Sequence, residues 1–271
     1  MTITRENVTI LIQGPLNKVS LDNIENYNKF GKVVVSTWNK QTNEENELKV
    51  KILNGDFGEV SELVMTTAPD IEDYPGLSNH SSTTFHYALK GVRDGLLSCN
   101  TKYTVRTRSD EFFENLQPLI DVMAQGDNHI VCSNVFFRKD MDYHFGDHLF
   151  IGTTESLLRG YLNLIGKITE EEVEEEWNQK ATYPEPAGVP EVILGRALTI
   201  SIENEDTPQK FKECFKEVNV NDLGNFVIRN NHTGQLWRNE YNGNWSQGGN
   251  KEGNDIADDY NKGIWWKAKQ S

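Results

Sequence analysis

The segment KYTVRTRSDEFF, residues 102–113, carries Arg106, Arg108 and Asp110 at alternate positions. Arginine grips phosphate oxygens through a planar fork, and a carboxylate is a hard oxygen donor for a divalent cation. In a strand that stays regular this far, all three side chains point to one side. Two guanidiniums and an acid on one strand end suit a metal-bound diphosphate. An Arg–Asp ion pair closing the strand is the competing reading.

Other polar groups stand at comparable places. The apolar run VTILI stops at Gln13-Gly14-Pro15, and KVVVS stops at Thr37-Trp38. In open α/β sheets, ligands lie outside the carboxyl ends of strands. A tight turn explains Gly14-Pro15 equally well, and core packing explains Trp38. Asn79-His80-Ser81-Ser82 precedes a helical pattern, where one residue caps the helix and the positive helix end can face an anion. Asp147 and His148 stand just ahead of the apolar run LFIG, placed to touch a sugar hydroxyl or take a proton. Glu191 follows Pro190 in the first turn of a helix, where the helix dipole favours the carboxylate form that a general base needs. Glu185 is its close rival, and His232 is a candidate additional metal ligand.

Elements must bring these groups together. Val8–Ile12 and Lys32–Ser36 are apolar on both faces, the pattern of strands covered on both sides. Between them Ser20 opens a helix with Leu21, Ile24, Tyr27 and Phe30 on one stripe, ended by Gly31. This β-α-β start predicts a parallel sheet. Residues 39–58 read as loop with one short helix. Glu62–Thr67, Tyr103–Thr107 and His129–Ser133 read as further strands. Phe85, Leu89, Val92 and Leu96 mark the clearest helix. Helices are also expected over Thr154–Ile165, Ile168–Lys180, Pro190–Ser201 and Thr207–Phe215. The last forty or so residues have little periodicity; Trp237, Trp245, Trp265 and Trp266 would pack that tail on the domain. The expected division is an α/β domain over residues 1–203 and an irregular C-terminal extension over 204–271, packed on the same domain.

Composition narrows the function. With 37% hydrophobic and 25% charged residues, the chain falls in the soluble globular class. It has no apolar run long enough to span a bilayer and no recognisable secretory leader. Three widely spaced cysteines, Cys99, Cys132 and Cys214, disfavour a disulfide framework or a zinc site. A cytoplasmic location is expected. The net charge of −14 argues against nucleic acid as a partner. It leaves room for a small anionic ligand held by local arginines, because charges beyond about 8 Å are screened at physiological salt. Neither a P-loop nor a dinucleotide-binding G-x-G-x-x-G follows the first strand.

Taken in order, VTILIQGPL, VVVSTW, ALKGVRDGLL, YTVRTRSD, SNVFFRKD with GDHLFIG, and more weakly PEVILGRAL, resemble the WavE-type lipopolysaccharide-synthesis family. Its members are glycosyltransferases of GT-A-like fold. The resemblance implies a Rossmann-type mixed, mostly parallel sheet flanked by helices, a nucleotide-sugar donor and a hydroxyl of a surface glycan as acceptor. It further implies that Gln13, Gly14, Pro15, Thr37, Trp38, Asn79, Arg106 and Arg108 bind the donor. Asp110 would hold Mn2+ or Mg2+, and Glu191 would act as the base of an inverting reaction; together with the residue-based readings above, Glu191, Asp147 and His148 make the catalytic set and His232 a further metal ligand. Where GT-A enzymes carry Asp-x-Asp, this chain reads Arg108-Ser109-Asp110, so one acid is missing. A sugar-nucleotide pyrophosphorylase shares the fold but needs a Gly-rich loop where this chain has QGPL. A non-catalytic carbohydrate-binding module built on the tryptophans is the third expectation.

Overall fold

The computed structural model describes residues 2–16, 18–39, 42–70, 73, 85–135, 137, 142–169 and 190–227. Asn79, Glu185, His232, the helix expected over Ile168–Lys180 beyond residue 169, and the four C-terminal tryptophans lie outside the described residues.

A seven-stranded sheet forms the centre. Its strands are β1 (Val8–Gln13), β2 (Lys32–Trp38), β3 (Glu62–Thr66), β4 (Tyr103–Arg108), β6 (Ile130–Ser133), β7 (Leu149–Thr153) and β8 (Phe215–Val218), in the order β3-β2-β1-β4-β7-β6-β8. Only β7 runs antiparallel to its neighbours, so the sheet is mixed and mostly parallel. A two-stranded ribbon pairs β5 (Phe112–Phe113) with β9 (Phe226–Val227). The first part of the segment expected as an extension therefore supplies an edge strand of the central sheet.

Helices cover both faces. On one, α1 (Lys18–Leu21), α2 (Ile24–Tyr27), α3 (Asn43–Asn54) and α5 (Gln117–Met123) bury Leu21, Ile24, Tyr27, Leu48, Ile52, Leu119 and Met123 against Ile10, Val33, Val35 and Val105. On the other, α4 (Phe85–Ser98), α6 (Thr154–Thr169), α7 (Pro190–Glu203) and α8 (Pro208–Cys214) bury Leu89, Leu157, Leu194 and Phe211 against Leu11, Val34 and Phe150. Gly91 and Gly95, one turn apart, let α4 lie close on β1 and β2. A methyl group on Gly95 would strike Leu11, and one on Gly91 would come within 2.9 Å of Gln13 Nε2.

The three cysteines are all buried. Burial pushes the thiols of Cys99 and Cys214 up to about 12, and that of Cys132 higher still. Because thiolate is the reactive form, folded protein is expected to react with DTNB at least about a hundredfold slower than protein in guanidinium. Fast labelling of any thiol at native pH would contradict this placement. Among the described residues, no helix is long and apolar enough to cross a membrane.

Candidate active site

The chain winds from β1 through β2 to β3 on one side, then returns to place β4 on the other side of β1. The crevice between the carboxyl ends of β1 and β4 is thus the topological switch point of the sheet. Gln13 pairs in register with Arg108 there. β7 begins at the same edge, since it is antiparallel to β4 and Leu149 faces Thr107. Asp147 and His148, just before β7, are brought to the same crevice.

Alternation along β4 sends Tyr103 and Val105 into one core and Arg106 to the other face, where its guanidinium lies 5.7 Å from the Phe150 ring centre. Arg106 is 3% exposed. Its Nη2 donates to Gln13 Oε1 at 3.1 Å, and its Nη1 donates to the backbone carbonyl of Asp147. Its Nε is buried and finds no partner among the described residues. Arg106 therefore braces the end of β1 against the loop that leads into β7.

The strand stops at Arg108, earlier than the parity of Asp110 requires. Ser109 N–H donates to the Gln13 carbonyl at 2.9 Å, and Glu111 N–H donates to the Arg108 carbonyl at 3.3 Å, which turns the chain. Gly14 fits under this turn with φ 134°, a conformation that disfavours any side chain. Its Cβ position lies 2.5 Å from Ser109 Oγ, so the space is closed as well. Pro15 is exposed beside it.

Around the turn Asp110 still meets Arg108, now as a fork. Arg108 Nε and Nη2 donate to Asp110 Oδ1 and Oδ2 at 2.9 and 3.0 Å. The side chains are 31% and 25% exposed. Glu111 Oε1, fully buried, lies 3.3 Å from the same Arg108 Nε. Burial works against the Arg108 charge, but Asp110, Glu111 and Asp147 outweigh it and hold the guanidinium above its ordinary pKa. Nη1 of Arg108 makes no hydrogen bond among the described residues, leaving one edge of the fork available.

Glu111 and His148 are both buried, and His148 Nδ1 bonds Glu111 Oε1. When Glu111 is ionised it can only accept, and Nδ1 is then the donor of this bond. The other ring nitrogen lies 3.9 Å from Asp147 Oδ1. His148 is thus a support beneath the crevice, while the Asp147 carboxylate, about a quarter exposed, is at its surface.

The loop over residues 142–148 is fixed from two sides. A methyl group on Gly146 would strike the Ser133 carbonyl, and one on Gly195 in α7 would strike the Tyr143 carbonyl. Tyr143 takes a left-handed φ of 65°. Its hydroxyl donates to Asp206 at 2.8 Å, and Arg196 forks onto the same carboxylate while lying 5.3 Å from the Tyr143 ring centre. Glu191 is half-buried in the first turn of α7, the helix that carries Gly195.

At the β2 end, Trp38 is 8% exposed, is covered by α4, and meets Tyr87 edge-on at 5.4 Å.

 A methyl group on Gly91 of α4 would come within 3.0 Å of the Trp38 indole. Ser36 Oγ donates to the Gly91 carbonyl at 2.7 Å, fixing that approach. Thr37 is buried and alternates to the opposite face of the sheet. The structure therefore brings together Gln13, Gly14, Arg106, Arg108, Asp110, Asp147 and His148, with Trp38 on the neighbouring strand end. Glu111 and Tyr87 were not among the residues expected from sequence. A second acid directly after Asp110 was the available sign of the first, and an aromatic in the first turn of α4 that of the second.

A preformed divalent-cation site does not fit these donors. Both Asp110 oxygens accept from Arg108, and Glu111 is engaged by His148 and Arg108. Among the described residues, no group of three or more His, Cys, Asp or Glu is arranged to hold an ion. Divalent cations of this kind take about six oxygen ligands, which one engaged carboxylate does not approach.

No family model matches the chain, and no curated protein matches it. Solved structures are similar to it at low identity. One is the galactosyltransferase LgtC in complex with donor and acceptor sugar analogs, at 13% identity over 78% of this chain and 73% of that chain, with a TM-score of 0.45. Another is glucosyl-3-phosphoglycerate synthase from Mycobacterium tuberculosis with Mn2+ and uridine diphosphate, at 10% identity, 79% and 70% coverage and a TM-score of 0.41. A third is the glycosyltransferase GlyE from Streptococcus pneumoniae TIGR4, at 15% identity and a TM-score of 0.41, covering 79% of this chain and 45% of that chain.

Proposed function

We propose that the protein is a glycosyltransferase that moves a sugar from a nucleotide-diphosphate donor to a hydroxyl of a surface glycan, of lipopolysaccharide or capsule type, on the cytoplasmic side. The observation that carries this reading is the meeting of Gln13, Gly14, Arg106, Arg108, Asp110 and Asp147 at the switch point between β1 and β4. The resemblance of the motifs to WavE-type proteins supports the same assignment.

In the reaction the acceptor oxygen attacks the anomeric carbon, the bond from that carbon to the donor phosphate oxygen breaks, and the nucleoside diphosphate departs with the electron pair. The charge it gains would be met by the open Nη1 edge of Arg108, held in place before the reaction begins. Glu191 or Asp147 would take the proton from the acceptor hydroxyl, each being a partly exposed carboxylate. His148, buried on Glu111, would orient the floor of the site without touching substrate.

The test is a panel of UDP-, GDP- and dTDP-sugars, followed by thermal shift and by release of nucleoside diphosphate. At least one donor is expected to stabilise the protein and turn over. Asp110→Ala is expected to lower that turnover by about a hundredfold, the scale of losing one preorganised electrostatic group. If no nucleotide sugar shifts the melting temperature or turns over, the reading fails. A carbohydrate-binding module would keep its glycan affinity in Asp110→Ala.

A further inference from the structure

The geometry points to a cation-free diphosphate grip, in which the Arg108 guanidinium stands where a divalent ion would stand and Glu111 is the positioning residue that fixes it. This rests on the transferase reading above and gives the chemistry of its donor site.

Three observations carry it. First, Arg108 is held by the Asp110 fork at 2.9 and 3.0 Å, with Glu111 Oε1 3.3 Å from the same Nε, so the fork sets its plane before any ligand arrives. A guanidinium fixed in this way loses little further freedom on binding an anion. Second, Glu111 is itself anchored, because the buried His148 ring holds its Oε1. Third, the one acid at the expected metal position has both oxygens committed to Arg108. A divalent ion would have to displace that fork and sit beside the positive charge of Arg108.

The division of labour follows from exposure. Arg108 is about a third exposed, with its Nη1 edge unbonded among the described residues, so it can reach a diphosphate. Glu111 is fully buried and reaches the ligand only through Arg108.

Inorganic pyrophosphate is the probe, since it carries the diphosphate without a base or a sugar. Calorimetric titration in EDTA is expected to show binding, and replacing EDTA by Mg2+ is expected to change the affinity by less than about tenfold. Arg108→Ala should weaken binding at least about tenfold, the scale of one lost charge-assisted contact. The isosteric Glu111→Gln should weaken it about fivefold, a fraction of that contact. A Glu111 that merely supports the fold would lower the melting temperature of Glu111→Gln and leave the affinity of the folded protein unchanged. No binding in EDTA, a tenfold or greater gain with Mg2+, or a smaller loss in Arg108→Ala overturns the inference. Turnover of a nucleotide sugar that requires Mg2+ also overturns it, while leaving the transferase reading intact. Pyrophosphate held by Arg108 in EDTA, with no nucleotide sugar turned over, defeats the transferase reading and leaves the grip standing.

Discussion

Gly195→Ala is expected to destabilise the protein by about 3 kcal/mol or to prevent folding, the upper range for overpacking a core. In contrast, Gly166→Ala should stabilise it by about 0.5–1 kcal/mol, the helix-propensity difference between the two residues. Both glycines lie inside helices, and the difference is what surrounds them. A Cβ on Gly195 would strike the Tyr143 carbonyl oxygen and come within 3.1 Å of its carbon, whereas one on Gly166 meets nothing within 4 Å. The obstacle at Gly195 is backbone, and it is held on the far side by Tyr143 packing on Arg196 and bonding Asp206. It cannot swing away as a side-chain tip would. Any accommodation must push the loop that carries Asp147 and His148, so a folded Gly195→Ala protein should also bind diphosphate more weakly. Urea unfolding of the two variants beside the native protein checks this. A Gly195→Ala protein as stable as the native one would show that α7 does not press on that loop.

What the sequence disclosed follows from how local each feature is. β1 and β2 were legible because their residues are apolar on both faces, and both proved to be covered on both faces. The helix at Phe85 was legible from its stripe, which is buried as expected. α3 was underestimated because only Leu48 and Ile52 face the core, although Thr42 and Glu45 form a capping box and Gly55 closes the helix in a left-handed conformation. The single helix expected from Leu21 to Phe30 is two short turns instead. Its burial pattern survives at Leu21, Ile24 and Tyr27 even though the helical hydrogen bonding does not run through. The antiparallel sense of β7 and the attachment of β8 to the far edge are long-range pairings with no local mark. The site shows the same division. Arg106 and Arg108 were found from alternation, but strict alternation sends Glu111 to the wrong face. Only the turn at Ser109, set by a bond to β1, brings Glu111 to Arg108.

Arg106→Met is expected to cost about 2–4 kcal/mol of stability, because one buried and one part-buried acceptor lose their donor at once. Those acceptors are Gln13 Oε1 and the Asp147 carbonyl, which belong to different strand ends and which no other described contact ties together. Arg106→Lys tests the geometry rather than the charge. A lysine ammonium is a compact point donor and does not span both acceptors as the two Nη groups do. It should therefore recover only part of the stability, about half, since one of two bonds can be remade. Its effect on the proposed transfer should be larger than its effect on folding, because the Gln13 and Asp147 ends would no longer keep a fixed separation across the crevice. The expected signature is a fall in kcat with a smaller change in KM. Urea unfolding and steady-state kinetics on the same preparations separate the two effects. An Arg106→Met protein as stable as the native one would mean that the brace between β1 and the β7 loop carries no weight, and the crevice would need another explanation for its shape.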